Sequence, residues 1–398
     1  MKKKKVVLAY SGGLDTSVAI SWLKEKRNLE VVALLVDLGQ TSDLGMVKKK
    51  ALKIGAGRVY LAEAKEEFLR HYAYPTLKAG AIYEGKYFLA TALGRPLIAK
   101  KLAETAEREK ADFVAHGCTG KGNDQVRFEV SLMALNPKLK VIAPMREWPI
   151  KSREEAIAYA RKHKIPIEQT KESPYSIDQN LWGTSIECGL LEEPGRMPPE
   201  DAYRLTQSLE KAPDKAETVE LEFKKGVPLK LNKKQLSPVK LVSALNKIGG
   251  KHGVGRTDLV ENRLVGIKSR EIYEAPAAKI LYTAHRALEE LTLGRETFHF
   301  KEGLALKYAE LIYCGYWVSP LKKAMDAFVE VTQKNVSGSV KLKLYKGNCE
   351  IVSRKSPFSL YKKSLATYEK GDIFDRTLAE GFIKLWGLPL KVQAENKK

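Results

Sequence analysis

The sequence predicts an α/β chain in three parts: a parallel-sheet domain over residues 1–166, an α+β domain over 167–365, and a C-terminal helical arm over 366–398. Three observations predict it. As far as Pro166, short apolar runs alternate with longer amphipathic ones, the pattern of parallel strands joined by right-handed helical crossovers. Beyond Pro213 the pattern changes to hairpin-like runs and separate helical stretches. From about Ala366 the chain is Lys-rich, set off by Gly371, with an apolar stripe at Phe382, Leu385 and Trp386 that suits packing on another subunit.

Bulk properties narrow the function classes. A chain of 398 residues suits two or three domains with a substantial core. No apolar run approaches the length of a membrane span, and Val6–Tyr10 is too short for a signal-peptide core. A cytoplasmic protein with no membrane partner is expected. The net charge is 69 − 48 = +21, but the runs Lys2–Lys5, Lys48–Lys50 and Asn396–Lys398 are scattered, with no basic-aromatic ribbon between them. The charge is therefore read as a solvated surface that also suits anionic substrates, and no nucleic-acid partner is expected. Cys118, Cys188, Cys314 and Cys349 form no CxxC pair and match no zinc or disulfide spacing, so no structural metal is expected.

The first strand, Lys5–Tyr10, runs into the loop Ser11–Ser17, SGGLDTS, and a helix follows over Val18–Lys26. Gly12 and Gly13 let the backbone bend and bring its N–H groups close to a ligand. Asp15, Thr16 and Ser17 are favoured N-cap types, and a helix N-terminus favours an anion. Neither GxxxxGK[ST] nor GxGxxG is present. The SGGxDxS pattern instead resembles the pyrophosphate-binding loop of the N-type ATP pyrophosphatases, which cleave ATP between its α and β phosphates.

Further strands are predicted at Glu30–Asp37, Arg58–Leu61, Asp112–Ala115 and Leu139–Ile142. Helices are predicted at Asp43–Ile54, Lys65–Tyr72, Leu89–Lys110, Asp124–Leu135 and Arg153–His163. Ligands of such a sheet sit at the carboxyl ends of its strands. There a second glycine loop, His116–Arg127, carries Gly117, Gly120 and Gly122, with Asn123 and Asp124 where a helix N-cap would fall. It offers a second anion nest, with the Thr119 hydroxyl, the Asn123 amide and the Arg127 guanidinium. Tyr83, Tyr87 and Thr91, spaced i, i+4, i+8, share one face if a helix opens at Tyr83; they read either as core packing or as a hydroxyl row.

A domain break is expected at Ile165–Pro174. The following stretch, Ser173–Gly189, has no clean period and reads as an irregular but ordered loop with helical fragments. Then come a hairpin, Thr218–Phe223 with Val227–Leu231, and helices at Pro238–Ile248, Ala278–Leu291, Leu304–Tyr313 and Pro320–Thr332. A second hairpin pairs Ser339–Tyr345 with Cys349–Arg354. Lys251–Tyr273 reads either as a solvated basic turn or as part of a substrate pocket containing Glu261 and Tyr273.

Six strings in order, AYSGGLDTS, YEGKYFLAT…RPLIA, HGCTGKGNDQVRFE, KVIAP, KHGVGRTDLVENR and GIKSREIYEAPA, with AEGFIKLWG near the end, resemble the argininosuccinate synthase family over nearly the whole chain. The resemblance implies a HUP-like, N-type ATP pyrophosphatase nucleotide-binding domain followed by a synthetase domain. It implies a homotetrameric ligase of arginine biosynthesis that uses ATP with Mg²⁺. Citrulline's ureido oxygen attacks the α-phosphate, pyrophosphate leaves, and the amine of L-aspartate then expels AMP from citrullyl-adenylate.

Carried across by position, Ala9, Tyr10, Ser11, Gly12, Gly13, Leu14, Asp15, Thr16 and Ser17 would hold the ATP phosphates, and Ala33 would border the adenine. The loop of Ala115, His116, Gly117, Cys118, Thr119, Gly120, Lys121, Gly122 and Asn123 would close over the nucleotide. Thr119, Asn123 and Asp124 match aspartate-binding positions; Asn123 and Arg127 match citrulline contacts, as do Tyr87, Ser176, Ser185, Glu261 and Tyr273. Lys121 and the Asp15 region are candidates for neutralising charge during adenylation. Asp124 is a candidate to assist the aspartate amine, although a carboxylate is a poor base for an amine unless its pKa is strongly raised. The chain departs from the family at YFLATALGRP, where the usual string is YLLGTSLARP, so Ala92 lacks a serine hydroxyl.

The rival reading is a tRNA-thiolating ATP pyrophosphatase with the same ATP loop, which would use the positive charge but generally carries sulfur-handling cysteine pairs. A non-catalytic nucleotide- or RNA-binding protein is the alternative from another class; it predicts salt-sensitive RNA affinity and no turnover.

Overall fold

Strand β1 (Lys5–Ala9) is flanked by β2 (Glu30–Asp37) and β4 (Phe113–Ala115), with β3 (Arg58–Glu63) and β5 (Lys140–Ile142) at the edges, all parallel, in the order β3-β2-β1-β4-β5. The computed structural model describes residues 3–166 and 175–397. Central strands covered on both faces need continuous apolar sequence, which VVALLV in β2 supplies. Alternate residues feed two cores. Val7, Val32 and Leu34 pack with the helix Ala90–Glu109, while Leu8, Ala33 and Leu35 pack with the helix Leu14–Lys26. The order of the strands reverses between β1 and β4, so the loops leaving those two strands emerge side by side.

The five strands stand where the alternation put them, within two residues at each end. The expected single helix over Lys65–Tyr72 is instead α-helical at Lys65–Phe68, π-helical at Leu69–Ala73 and α-helical again at Tyr74–Ala79. Pro75, which has no N–H for the ladder, follows the widened turn. The helix expected to open at Tyr83 begins at Ala90, after Leu89 turns left-handed at φ +63°. Tyr83 and Tyr87 therefore lie in a tight turn joined by an isolated bridge, not on a helix face. The Tyr87 hydroxyl accepts the N–H groups of Thr91 (3.0 Å) and Ala92 (3.2 Å) and so caps that helix.

The expected break at Ile165–Pro174 falls largely on residues outside those described. The stretch read as an irregular loop is a hairpin, β6 (Ser176–Asn180) and β7 (Gly183–Glu187). A five-stranded sheet follows, built from β8 (Glu217–Lys224), β9 (Val227–Leu231), β10 (Lys234–Gln235) and, later in the chain, β13 (Gly338–Tyr345) and β14 (Asn348–Lys355). The stretch Lys251–Tyr273 is no solvated turn; β11 (Arg256–Asn262) and β12 (Lys268–Glu274) join the β6–β7 hairpin in the order β11-β12-β7-β6. Beyond β14 the helices Leu378–Trp386 and Leu388–Glu395 bury no residue, leaving Phe382, Ile383, Leu385 and Trp386 exposed.

Candidate active site

A cleft of about 640 Å³ opens at the carboxyl ends of β1 and β4 and is closed on its far side by the β11-β12-β7-β6 sheet. The first loop shapes one wall. Gly12 stands at φ +85°, and a Cβ there would meet Val47 at 2.7 Å, so a glycine is needed on both counts. Lys50 Nζ donates to the Gly12 carbonyl at 2.8 Å and fixes the turn. Gly13, in extended backbone, is the N-cap of the helix Leu14–Lys26, and no side chain caps it. The residues read as caps lie inside the helix instead, where Thr16 and Ser17 turn their hydroxyls back to Gly13 O (3.4 Å) and Gly12 O (3.5 Å). The first intrahelical bond runs from Ser17 N to Gly13 O at 3.0 Å, so the amides of Leu14, Asp15 and Thr16 precede the ladder and suit an anion.

The second loop repeats that construction. Gly122, not Asn123 or Asp124, is the uncapped N-cap of the helix Asn123–Leu135. The loop is tied down by Gln125 Nε2 to Gly120 O (2.6 Å) and by Cys118 N to His116 Nδ1 (3.2 Å), while His116 Nε2 lies 3.1 Å from Glu129 Oε1. Gly117 packs directly on Thr16 of the first loop.

Between the loops and the far sheet lies a charged row. Asp124 Oδ2 accepts from Arg95 Nη2 at 2.7 Å and Oδ1 from Arg127 Nη1 at 2.9 Å, while Arg95 also pairs with Asp178. Burial pushes the Asp124 pKa up, but the two guanidiniums outweigh it and hold the carboxyl below its usual range. Arg127 Nε donates to the Tyr313 carbonyl at 2.8 Å; its Nη2 is buried and, among the described residues, has no partner. An unpartnered guanidinium nitrogen on a residue that lines the cleft leaves one hydrogen-bond position for a carboxylate that reaches it. Asp15 is raised by burial, partly offset by Arg153.

The far sheet supplies polar residues from one face. The register sets Tyr273 beside Ser185, and Ser185 beside Asp178. With the two-residue period, Ser176, Glu187, Glu261 and Glu271 join them on the cleft side, while Ile186 and Ile272 turn to a small core with Leu191 and Ala202. Glu261 accepts from Tyr273 Oη at 2.5 Å and Tyr313 Oη at 2.6 Å. Burial raises its pKa; those two hydroxyls and the charges of Arg127 and Arg263 work against the rise. Arg263 pairs with both Glu187 and Glu271. Burial and the neighbouring Glu187 and Glu261 push Glu271 strongly upward.

The cleft gathers Ala9, Tyr10, Ser11, Gly13, Asp15 and Thr16 from the first loop and His116, Gly117, Cys118, Thr119, Gly122 and Asn123 from the second. Tyr87, Asp124, Arg127, Ser176, Ser185, Glu261 and Tyr273 line it as well. Other expected residues do not. Lys121 is exposed at the turn of its loop and lines no part of the cleft. Ala33 faces the opposite core, and its neighbours Leu34 and Val36 form the wall instead. Gly12, Leu14, Ser17, Ala115 and Gly120 line no part of the cleft either. Sequence reasoning missed Arg95, Asp178, Glu187, Arg263 and Glu271; the alternation Ser-Ile-Asp, Ser-Ile-Glu and Glu-Ile-Tyr was the available signal for the last sheet.

Two family models tile the chain: the arginosuccinate synthase N-terminal HUP domain matches residues 5–166, and the arginosuccinate synthase C-terminal domain matches residues 175–393. The argininosuccinate synthase of Desulfitobacterium hafniense is 58% identical over 395 residues, covering 99% of this chain and 98% of that protein. Those of Carboxydothermus hydrogenoformans and Bacillus thuringiensis show the same identity and coverage. Such matches do not favour the tRNA-thiolating alternative. With both domains matched, full-length relatives 58% identical, and a cleft walled by two glycine loops, the chain belongs to the argininosuccinate synthase family.

Proposed function

We infer that the chain joins L-citrulline to L-aspartate at the expense of ATP, making argininosuccinate, AMP and pyrophosphate. The observation that carries the reading is the shared cleft, lined by two uncapped helix N-termini and by Arg127, one turn into the second of those helices, whose Nη2 has no partner among the described residues. The first-loop amides hold the leaving pyrophosphate, and the second loop covers the nucleotide. Citrulline's carboxylate pairs with Arg127, which aims the ureido group at the α-phosphorus. The ureido oxygen forms the new P–O bond, the bond to the pyrophosphate oxygen breaks, and the aspartate amine then attacks the ureido carbon, loses a proton and displaces AMP.

Asp124 is assigned to binding rather than proton transfer, because a carboxylate held ionised between two arginines is a weak base. Thr119 and Asn123 complete the aspartate position. Mg²⁺ is taken as part of the nucleotide substrate; among the described residues no three His, Cys, Asp or Glu side chains gather as a metal site, and the hard oxygen donors that fit it are the phosphates and Asp15. The exposed apolar face of the C-terminal arm is assigned to contacts within a homotetramer, and the enzyme to the cytoplasm. The test is product formation from ATP, citrulline and aspartate with each omitted in turn. Pyrophosphate release that needs tRNA but not citrulline would overturn the reading.

A further inference from the structure

Tyr313 ends the helix Arg295–Tyr313 in the second domain, is 1% exposed and lines no part of the cleft, yet bonds of the site converge on it. Its hydroxyl accepts from Asn123 Nδ2 at 2.7 Å and donates to Glu261 Oε1 at 2.6 Å. A phenol has one proton, and the carboxylate can only accept, so the direction of both bonds is fixed. The Asn123 amide is fixed in turn, because its oxygen accepts the Leu264 N–H at 2.9 Å. The Tyr313 carbonyl takes Arg127 Nε, and its ring lies under the Arg127 guanidinium, 4.7 Å from centroid to Cζ. On the other side the ring stacks on Tyr83 at 3.6 Å. Just beyond the helix end, Gly315 at φ +82° lets the chain press on the Arg127 backbone, where a Cβ would stand 3.0 Å from Arg127 Cα.

We propose that Tyr313 is a positioning residue for the amino-acid substrates: its hydroxyl sets Glu261 and Asn123, while its ring and carbonyl hold the Arg127 guanidinium at the wall of the cleft. Three groups assigned to citrulline or aspartate on opposite walls thus share one buried anchor. The inference rests on the substrate assignment above. It goes further in placing a specificity determinant outside the cleft, on a helix none of whose residues lines it.

The test is Tyr313→Phe in the full chain, which keeps the ring and the carbonyl and removes only the hydroxyl. The KM for citrulline should rise about tenfold, the scale of a hydrogen bond to a charged group, with the KM for ATP changed less than about twofold by the same argument. Glu261 is faced by Tyr273 and Glu271 from β12, by Arg127 and by Arg263; losing the Tyr313 donor moves its titration, and hence the acid limb of kcat/KM for citrulline, to higher pH. A purely structural role would not move that limb. In a Glu261→Gln background the same change should cost less than about threefold, because the shared bond is already altered. An unchanged citrulline KM overturns the proposal, and so does a proportional rise in both KM values with a lowered unfolding midpoint. A wild-type chain that makes no argininosuccinate overturns the substrate assignment itself, and the inference falls with it.

Discussion

Gly117 and Thr16 touch across the two loops: a Cβ built on Gly117 would stand 2.6 Å from Thr16 Cγ2. Real side chains do not approach so closely, so the two loops can close one cleft only with glycine at that point. Gly117→Ala should force the loops apart, raise the KM for ATP at least about fivefold and cost about 1–3 kcal/mol of stability. Adding Thr16→Ser removes Cγ2 but keeps the hydroxyl, and should restore most of both losses. Steady-state kinetics and urea unfolding of the single and double variants check this; failure of the double variant to recover would place the damage elsewhere.

Arg127→Ala should raise the citrulline requirement about a hundredfold, since it removes a charged partner and strips Asp124 of one of its two guanidiniums. The ATP requirement should change only a few-fold by the same reasoning. Arg127→Lys should not rescue, because one ammonium cannot meet Asp124, the Tyr313 carbonyl and a substrate carboxylate together. Substrate titrations with each variant give the answer.

Glu109 ties β1 and β3 to the end of the helix Ala90–Glu109, accepting from Lys5 (2.7 Å), Tyr60 (2.5 Å) and Arg58 (2.5 Å). The Lys5 and Tyr60 hydrogen bonds, with Arg58 and the Lys5 charge, overcome burial and hold its pKa at about 2, against 4.5 for a free side chain. A folded pKa below the unfolded one means stability that is fully present above pH 4.5 and is lost as pH falls toward 2. Glu109→Gln should flatten the fall in stability across that window and lower stability at neutral pH. Unfolding free energies at pH 7, 4.5 and 3 would show it; parallel pH curves for wild type and variant would refute it.

Truncation after Asp375 removes both terminal helices, whose apolar side chains are exposed and make no core. The secondary structure of the remaining chain should persist, while the assembly should shrink on size exclusion with light scattering. A truncated chain with the same mass as the full-length assembly would remove the arm from that role.

The parallel sheet and both glycine loops were legible because their signals are local: apolar runs of strand length and glycines at strand ends. The far wall was harder to read. In β6, Ser176, Ile177 and Asp178 all line the cleft, and only one apolar residue stands among its polar ones, so the strand carries little of the apolar signal that marks a core strand. The i, i+4 spacing of Tyr83 and Tyr87 suits a helix, and spacing alone does not show that Leu89 turns left-handed. Asp124 was legible as a site residue, but its protonation depends on Arg95, which approaches from another helix. Tyr313 carries no motif; its contacts reach Asn123 and Arg127, nearly two hundred positions earlier.

The strand β12 presents Ser269, Glu271 and Tyr273 to one side and Ile272 to the other. Deleting or inserting a single residue there would turn Arg270, Ile272 and Glu274 toward the cleft in place of Ser269, Glu271 and Tyr273. Relatives that come to accept a different amino acid should therefore have arrived by substitution at every second place along this ribbon, with its length left untouched.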